Sequence, residues 1–184
     1  MSGREQPGAD GSRPERELRR ADGLAARCCS TLLAGGLLLA ACHGGPSVAG
    51  LSRADEAAVQ AVDTLFATAL NAGDIAGVVR AYGHDAWLMP PNALPVRGHD
   101  GIRGFWGGFL RSYDVRLTVG ADRIEGQGDL AYVVGHYHME TRPKAQEVPV
   151  LPAEDGKFLE VLKRGPDRRW TYVADMFSAN APAR

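Results

Sequence analysis

The chain has 184 residues, 45% of them hydrophobic and 23% charged, with a formal charge of -1. That suits one globular domain with a tail and excludes a basic nucleic-acid binder. The first 27 residues are polar and Arg-rich, with no apolar period. Cys29 to Cys42, CSTLLAGGLLLAAC, is an uncharged run too short for an ordinary membrane-spanning helix. A basic segment, a short apolar core and small residues before a break describe a signal peptide. If cleavage falls before Cys42, Cys28 and Cys29 are lost and the mature chain keeps one cysteine, so no intrachain disulfide forms.

Residues 42–52 read as a flexible Gly/Pro/Ser spacer. Ser52 with Asp55 three residues on forms a capping-box variant. Val59, Val62, Phe66, Ala69 and Leu70 form the stripe of a helix ending near Asn71. Gly73 stops it and Asp74 caps a second helix, whose face is Ile75, Val78, Val79 and Tyr82. Tyr82 is expected to close that helix, with Gly83 at its C′ position. Ala86–Met89 and Pro95–Gly98 suggest a short two-strand turn around Pro90 and Pro91. Asp100 is the expected N-cap of a third helix, with Ile102, Phe105, Trp106, Phe109 and Leu110 on one wide apolar face. After Ser112 the period changes to two, with Val115, Leu117 and Val119 alternating with polar residues. Further strands are expected over Leu130–Thr141, Lys157–Arg164 and Trp170–Ser178. A loop with three prolines covers Arg142–Asp155, and turns fall at 126–129 and 165–167. Helices first and a meander of long antiparallel strands after them predict an α+β fold.

Leu39-Ala40-Ala41-Cys42 resembles the lipobox of bacterial lipoproteins. The resemblance implies a cleaved segment over 1–41, lipid on Cys42 and a membrane anchor at the bacterial cell envelope. His43 after the cysteine points to the outer membrane, facing the periplasm, in a Gram-negative host. The later motifs are LNAGD at Leu70–Asp74, AYGHDA at Ala81–Ala86, RGHDGIRGFW at Arg97–Trp106, the Gly156-Lys157 strand start, and Trp170 followed by VADMFSAN. Together they resemble the nuclear transport factor 2-like superfamily, in particular its SnoaL-like group. That implies a cystatin-like cone over 53–180, with a curved antiparallel sheet wrapped around three N-terminal helices and a tail at 181–184. It also implies a pocket and a homodimer across the sheet. The superfamily carries isomerases, cyclases, dehydratases, binding modules and assembly domains, so fold alone does not name a reaction.

The steroid isomerases of this fold offer a test by motif. Their base position falls on Pro90 and their tyrosine position on Phe66, and neither side chain has a proton to exchange. Their second acid falls near Leu159 or Glu160. Steroid isomerisation is therefore not expected.

Asp175 is the acid singled out by its neighbours. Val173 and Phe177 should share its strand face, with Ala174 and Met176 on the other, so Asp175 sits in apolar company whichever face is inward. Desolvation would raise its pKa, as for a general acid or base; a structural carboxyl fixing the last strand is the bland alternative. His136, His138 and Glu140 share a face and have the spacing of a metal half-site, but the opposite face is more apolar and should point inward. No metal or cofactor is expected. Tyr82, Trp87, Met89, Phe105, Trp106, Phe109 and Phe177 are expected to line the pocket. The function so expected is a membrane-anchored module binding a small apolar or amphipathic molecule. An acid/base enzyme using Asp175 and an envelope protein-interaction module are the alternatives.

Overall fold

The computed structural model describes residues 50–181; Cys42 and the segment before it lie outside the described residues. Helix α1 spans Arg53–Asn71, and Ser52 caps it by accepting from the Asp55 N–H. Its apolar stripe is buried as the spacing predicts. Helix α2 spans Ile75–Arg80, capped by Asp74, which accepts from the Gly77 N–H. Strand β1 follows at Tyr82–Met89, β2 at Val96–Arg97 and α3 at Gly98–Ser112. The long strands β3 (Tyr113–Gln127), β4 (Leu130–Pro143), β5 (Glu154–Arg164) and β6 (Trp170–Ala179) complete the domain.

These strands form one six-stranded sheet in the order β2-β1-β6-β5-β4-β3. Neighbouring pairs are antiparallel except β1 and β6, which run parallel. The sheet is thus curved, unclosed and mixed rather than purely antiparallel. The parallel pair arises because β1 and β6 are joined by the whole remainder of the chain. Helices α1 and α3 lie against the sheet, and the core is the space between. Among the described residues no helix is long and apolar enough to cross a membrane.

Two local expectations change. Tyr82 opens β1 instead of closing a helix. Helix α2 stops at Arg80, and the Ala81 carbonyl accepts from the Tyr172 N–H at 2.9 Å, so sheet pairing takes the chain over at once. Asp100 lies in the first turn of α3 and is not its cap. The helix starts at Gly98, whose φ of 66° suits glycine, after an extended Arg97 with no side-chain cap.

The free edge of β3 is met by the LNAGD turn. Asn71 Nδ2 donates to the Leu117 carbonyl at 2.9 Å, and Asn71 Oδ1 accepts from the Leu117 N–H at 2.6 Å. One side chain thus pairs both backbone groups of an edge residue that β4 cannot reach, and it docks the end of α1 on the sheet.

Inward faces follow the expected alternation on β3 and β4. Val115, Leu117, Val133 and Tyr137 are buried, while His136 and Glu140 are exposed. On β6 the alternation breaks. Tyr172 pairs with Leu162 and Ala174 with Val161, so Val173 is an extra residue without a partner on β5. This bulge brings Tyr172 and Asp175 to the same inward face, although strict alternation would separate them.

Candidate functional site

Three carboxyl groups are buried in the core: Asp63 on α1, Glu160 on β5 and Asp175 on β6, exposed by 3%, 7% and 5% respectively. Glu160 and Asp175 face each other directly in the β5–β6 register. Tyr82 Oη donates to Asp175 Oδ2 at 2.6 Å, and Trp106 Nε1 donates to Tyr82 Oη at 3.3 Å. Tyr172 Oη donates to Asp63 Oδ1 at 2.8 Å. Asp63 Oδ2 and Glu160 Oε2 have no donor from the protein. They satisfy each other only when Glu160 is protonated and its hydroxyl donates to Asp63.

Among the described residues no Lys, Arg or His forms an ion pair with any of the three. No cation therefore offsets the burial of their charges. It pushes the Asp175 carboxyl up to about 6, against the Tyr82 hydrogen bond, which favours the anion. It raises Glu160 well above the usual carboxylate range, and the negative charges of Asp175 and Asp63 add to that rise. Asp63 is raised too by burial, with the bonds from Glu160 and Tyr172 opposing. Burial and the adjacent acids raise Tyr82 and Tyr172, so both hydroxyls stay protonated donors.

Asp175 and Glu160 lie on the wall of a small cavity of about 40 Å³. The other ten of its twelve lining residues are apolar or aromatic, among them Phe66, Trp106, Tyr137, Phe158 and Phe177. Phe66 packs edge-on to Trp106 at 5.4 Å, and Trp106 stacks on Phe177 at 5.9 Å. Tyr137 lies over Gly156, where any Cβ would collide with its ring, and Tyr137 Oη donates to Glu154 at 2.5 Å. Burial raises the Tyr137 hydroxyl above its ordinary pKa, and the Glu154 bond adds to the rise.

Of the residues expected to line the pocket, Trp106 and Phe177 do so. Tyr82 is fully buried behind the wall, bonded to Asp175. Phe105 packs on Trp106 at 5.0 Å, and Phe109 packs on Tyr113 at 5.1 Å; both support the lining without joining it. Trp87 points out of the core, with the Arg97 guanidinium 3.3 Å above its ring centre, and takes no part in the cavity. Met89 and Pro90 line a separate open groove that also touches Leu159 and Met176. Their strand alternates, and its inward positions are Ala86 and Leu88. His136 and His138 face outward, paired with Asp122 at 2.9 Å and Asp155 at 2.8 Å. Glu140 is 3.7 Å from His138 on the same side.

Sequence reading missed Asp63 and Tyr172 and left Glu160 unresolved against Leu159. Glu160 faces inward and Leu159 outward. The signal for Asp63 was present: it is four residues after Val59 and three before Phe66, within the apolar stripe of α1. Phe158, Glu160 and Leu162 likewise alternate on one face of β5.

Helices packed against a curved, unclosed sheet are the architecture of the nuclear transport factor 2-like class. The sequence pattern of the SnoaL-like domain matches residues 62–173, more than half of the chain, so the chain belongs to that family. No curated protein matches it by sequence. Solved structures share the fold. A ketosteroid isomerase-like protein from Erwinia carotovora atroseptica has a TM-score of 0.64 at 20% identity, covering 71% of this chain and 100% of that one. A putative dehydratase of the NTF2-like family from Streptomyces avermitilis has a TM-score of 0.60 at 14% identity, covering 70% and 98%. A protein with a cystatin-like fold from Nostoc punctiforme has a TM-score of 0.61 at 14% identity, covering 71% and 94%.

Carboxyls raised by burial hold protons more tightly folded than unfolded. Their contribution to stability is full below the unfolded pKa of about 4 and is lost as pH rises through the folded value. For Asp175 the loss amounts to about 3 kcal/mol, at 1.36 kcal/mol per pKa unit. Thermal unfolding should therefore move to higher temperature, by several degrees, as pH falls from 8 to 5. Asp175→Asn should flatten that rise. A melting temperature that stays level or drops over this range would contradict the assignment.

Proposed function

We propose that the domain holds a small, largely apolar molecule in its cavity and exchanges a proton with it through Asp175. The observation that carries this reading is the pair Asp175 and Glu160, side by side on an apolar wall with no cation to neutralise them. A carboxyl with a pKa of about 6 both takes and returns a proton near neutral pH. Glu160, kept protonated by burial and its neighbours, is an acid able to donate to a carbonyl or hydroxyl oxygen. Tyr82 fixes the Asp175 carboxyl, and Trp106 in turn fixes Tyr82.

Isomerase-type and dehydratase-type reactions use general acids and bases of this kind, and two of the similar solved structures are described in those terms. The arrangement differs from the steroid isomerase pattern, since Phe66 and Pro90 hold two of its positions. Passive binding is the second reading, favoured by the ten apolar or aromatic residues of the lining. It leaves the buried acids without a purpose that would offset their desolvation.

The test uses small cyclic ketones and β-hydroxy ketones in deuterated buffer, followed by NMR. At least one class should lose a C–H signal next to the carbonyl, or eliminate water, faster than in buffer. Asp175→Asn should slow that reaction by about 100-fold or more, the usual contribution of a general base. If no compound reacts above the buffer rate, the cavity only binds.

Assembly and address belong to the same proposal. On the outer face Val134 pairs with Leu159, Leu159 with Met176 and Met176 with Met89, one in-register apolar row across four strands. Leu159 is 40% and Met176 45% exposed. A two-fold partner, a second copy of this chain, would cover the row with its own. Sedimentation of the purified protein at micromolar concentration should give about twice the monomer mass, and Leu159→Lys should give the monomer. A wild-type monomer at all concentrations rules this assembly out. The lipobox-like Leu39–Cys42 supports a lipid anchor at the cell envelope. Cys42→Ser should free the protein from membranes or leave its precursor uncleaved, whereas a cleaved, membrane-bound form would disprove the anchor.

A further inference from the structure

Asp175 and Glu160 lie opposite each other in the β5–β6 register, and both line the cavity. Two carboxyls side by side do not by themselves decide which gives a proton and which takes one; their surroundings do. Those surroundings differ. Tyr82 donates to Asp175, which favours the anion there. Behind Glu160 stands Asp63 of α1, buried and outside the cavity lining. Asp63 Oδ1 accepts from Tyr172 Oη at 2.8 Å. Asp63 Oδ2 and Glu160 Oε2 have no other donor, so one hydrogen bond joins them and it needs one proton. Because Tyr172 already donates to Asp63, the negative charge belongs on Asp63 and the proton on Glu160.

We infer that Asp63 is a positioning residue that divides the roles of the cavity acids: held as an anion by Tyr172, it accepts the Glu160 hydroxyl and so keeps Glu160 the acid and Asp175 the base. This rests on the acid/base reading of the site and names what sets it. The step served is balanced. Asp175 takes a proton from a carbon beside a carbonyl, and the electron pair of that C–H bond becomes the C=C bond of an enol. The carbonyl π pair moves to its oxygen, which takes the Glu160 proton as that hydroxyl turns from Asp63 to the cavity. One proton enters the acids as another leaves, so their total charge stays the same. The titratable groups facing Glu160 are Asp175 and Tyr172 from β6, Asp63 from α1 and Tyr82 from β1. None of them is a cation, so Asp63 acts on Glu160 unopposed by positive charge.

The test is a carbon-13 NMR titration of the side-chain carboxyls in the full chain and in two variants, each checked for native circular dichroism. Asp63→Asn removes the anion and offers Glu160 an N–H donor, so the Glu160 midpoint should fall by about one to three pH units. Tyr172→Phe keeps the Asp63 carboxyl and removes a donor that favours ionised carboxyls, so Glu160 should hold its proton to higher pH. A merely structural Asp63 gives another pattern, because water let into a loosened core lowers Glu160 in both variants. An unmoved Glu160 in Asp63→Asn, or a fall in Tyr172→Phe, overturns the inference. With the ketone that reacts fastest, the loss of rate at high pH should begin at lower pH in Asp63→Asn while KM stays unchanged, since Asp63 does not touch the ligand. A high-pH limb that stays in place also overturns the role. Opposite shifts of Glu160 without turnover of any compound remove the reaction and leave this arrangement of protons standing.

Discussion

The hydrogen bond from Tyr82 Oη to Asp175 Oδ2, 2.6 Å long, joins the first strand of the sheet to the last. Around it stand the constraints that shape the site. Both side chains are buried, so the carboxylate is largely desolvated. The donor comes from a strand that pairs in parallel with β6, and that pairing sets the height of Tyr82 against Tyr172. The two tyrosine rings meet edge to face at 5.1 Å, and Phe66 closes on both. The hydroxyl of Tyr82 therefore has little freedom to leave Asp175. Trp106 narrows that freedom further from α3.

Next to this bond lies its counterpart between Tyr172 and Asp63, which ties α1 to β6. The two tyrosines thus serve two acids on opposite sides, and Glu160 lies between these acids. Three carboxyls at close quarters in a low-dielectric core cannot all be ionised. Sharing protons among them is the lower-energy solution, and it leaves Asp175 titrating at about 6 with Glu160 held protonated well above the usual carboxylate range. Stability and chemistry are therefore opposed in one place. The domain would be firmer with apolar residues at 63, 160 and 175, as buried ionisable groups generally weaken a core. That cost is the physical reason to look for function here and not at the exposed His136 and His138, whose acidic neighbours already match them.

Much of the architecture was legible in the sequence because local and global preferences agree there. The stripe of α1, the caps at Ser52 and Asp74, and the alternation of β3 and β4 each read directly from residue spacing. Asp175 was legible as a buried acid for the same reason, with Phe177 on its face as expected, although Val173 was not legible as falling in a bulge. The bulge at Val173 cannot be read from spacing, since it depends on which residues of β5 lie opposite. Without it Tyr172 would face away from Asp63. Tyr82 misled because its place fits the apolar face of α2 as well as a strand start, and only pairing with β6 decides. Trp87 misled by its size. Large aromatics suggest a core, but an outward strand position beside Arg97 satisfies this one at the surface.

The chemistry of the site follows from Asp175 being a desolvated acid with no cationic partner among the described residues. Carbon-13 NMR of its side-chain carboxyl, followed from pH 3 to pH 9, measures that directly. A midpoint of about 6 is the predicted result, with Glu160 titrating above the ordinary carboxylate range. A midpoint for Asp175 at or below about 4, the ordinary value for an aspartate in water, would show the carboxyl to be solvated or paired and would contradict the account.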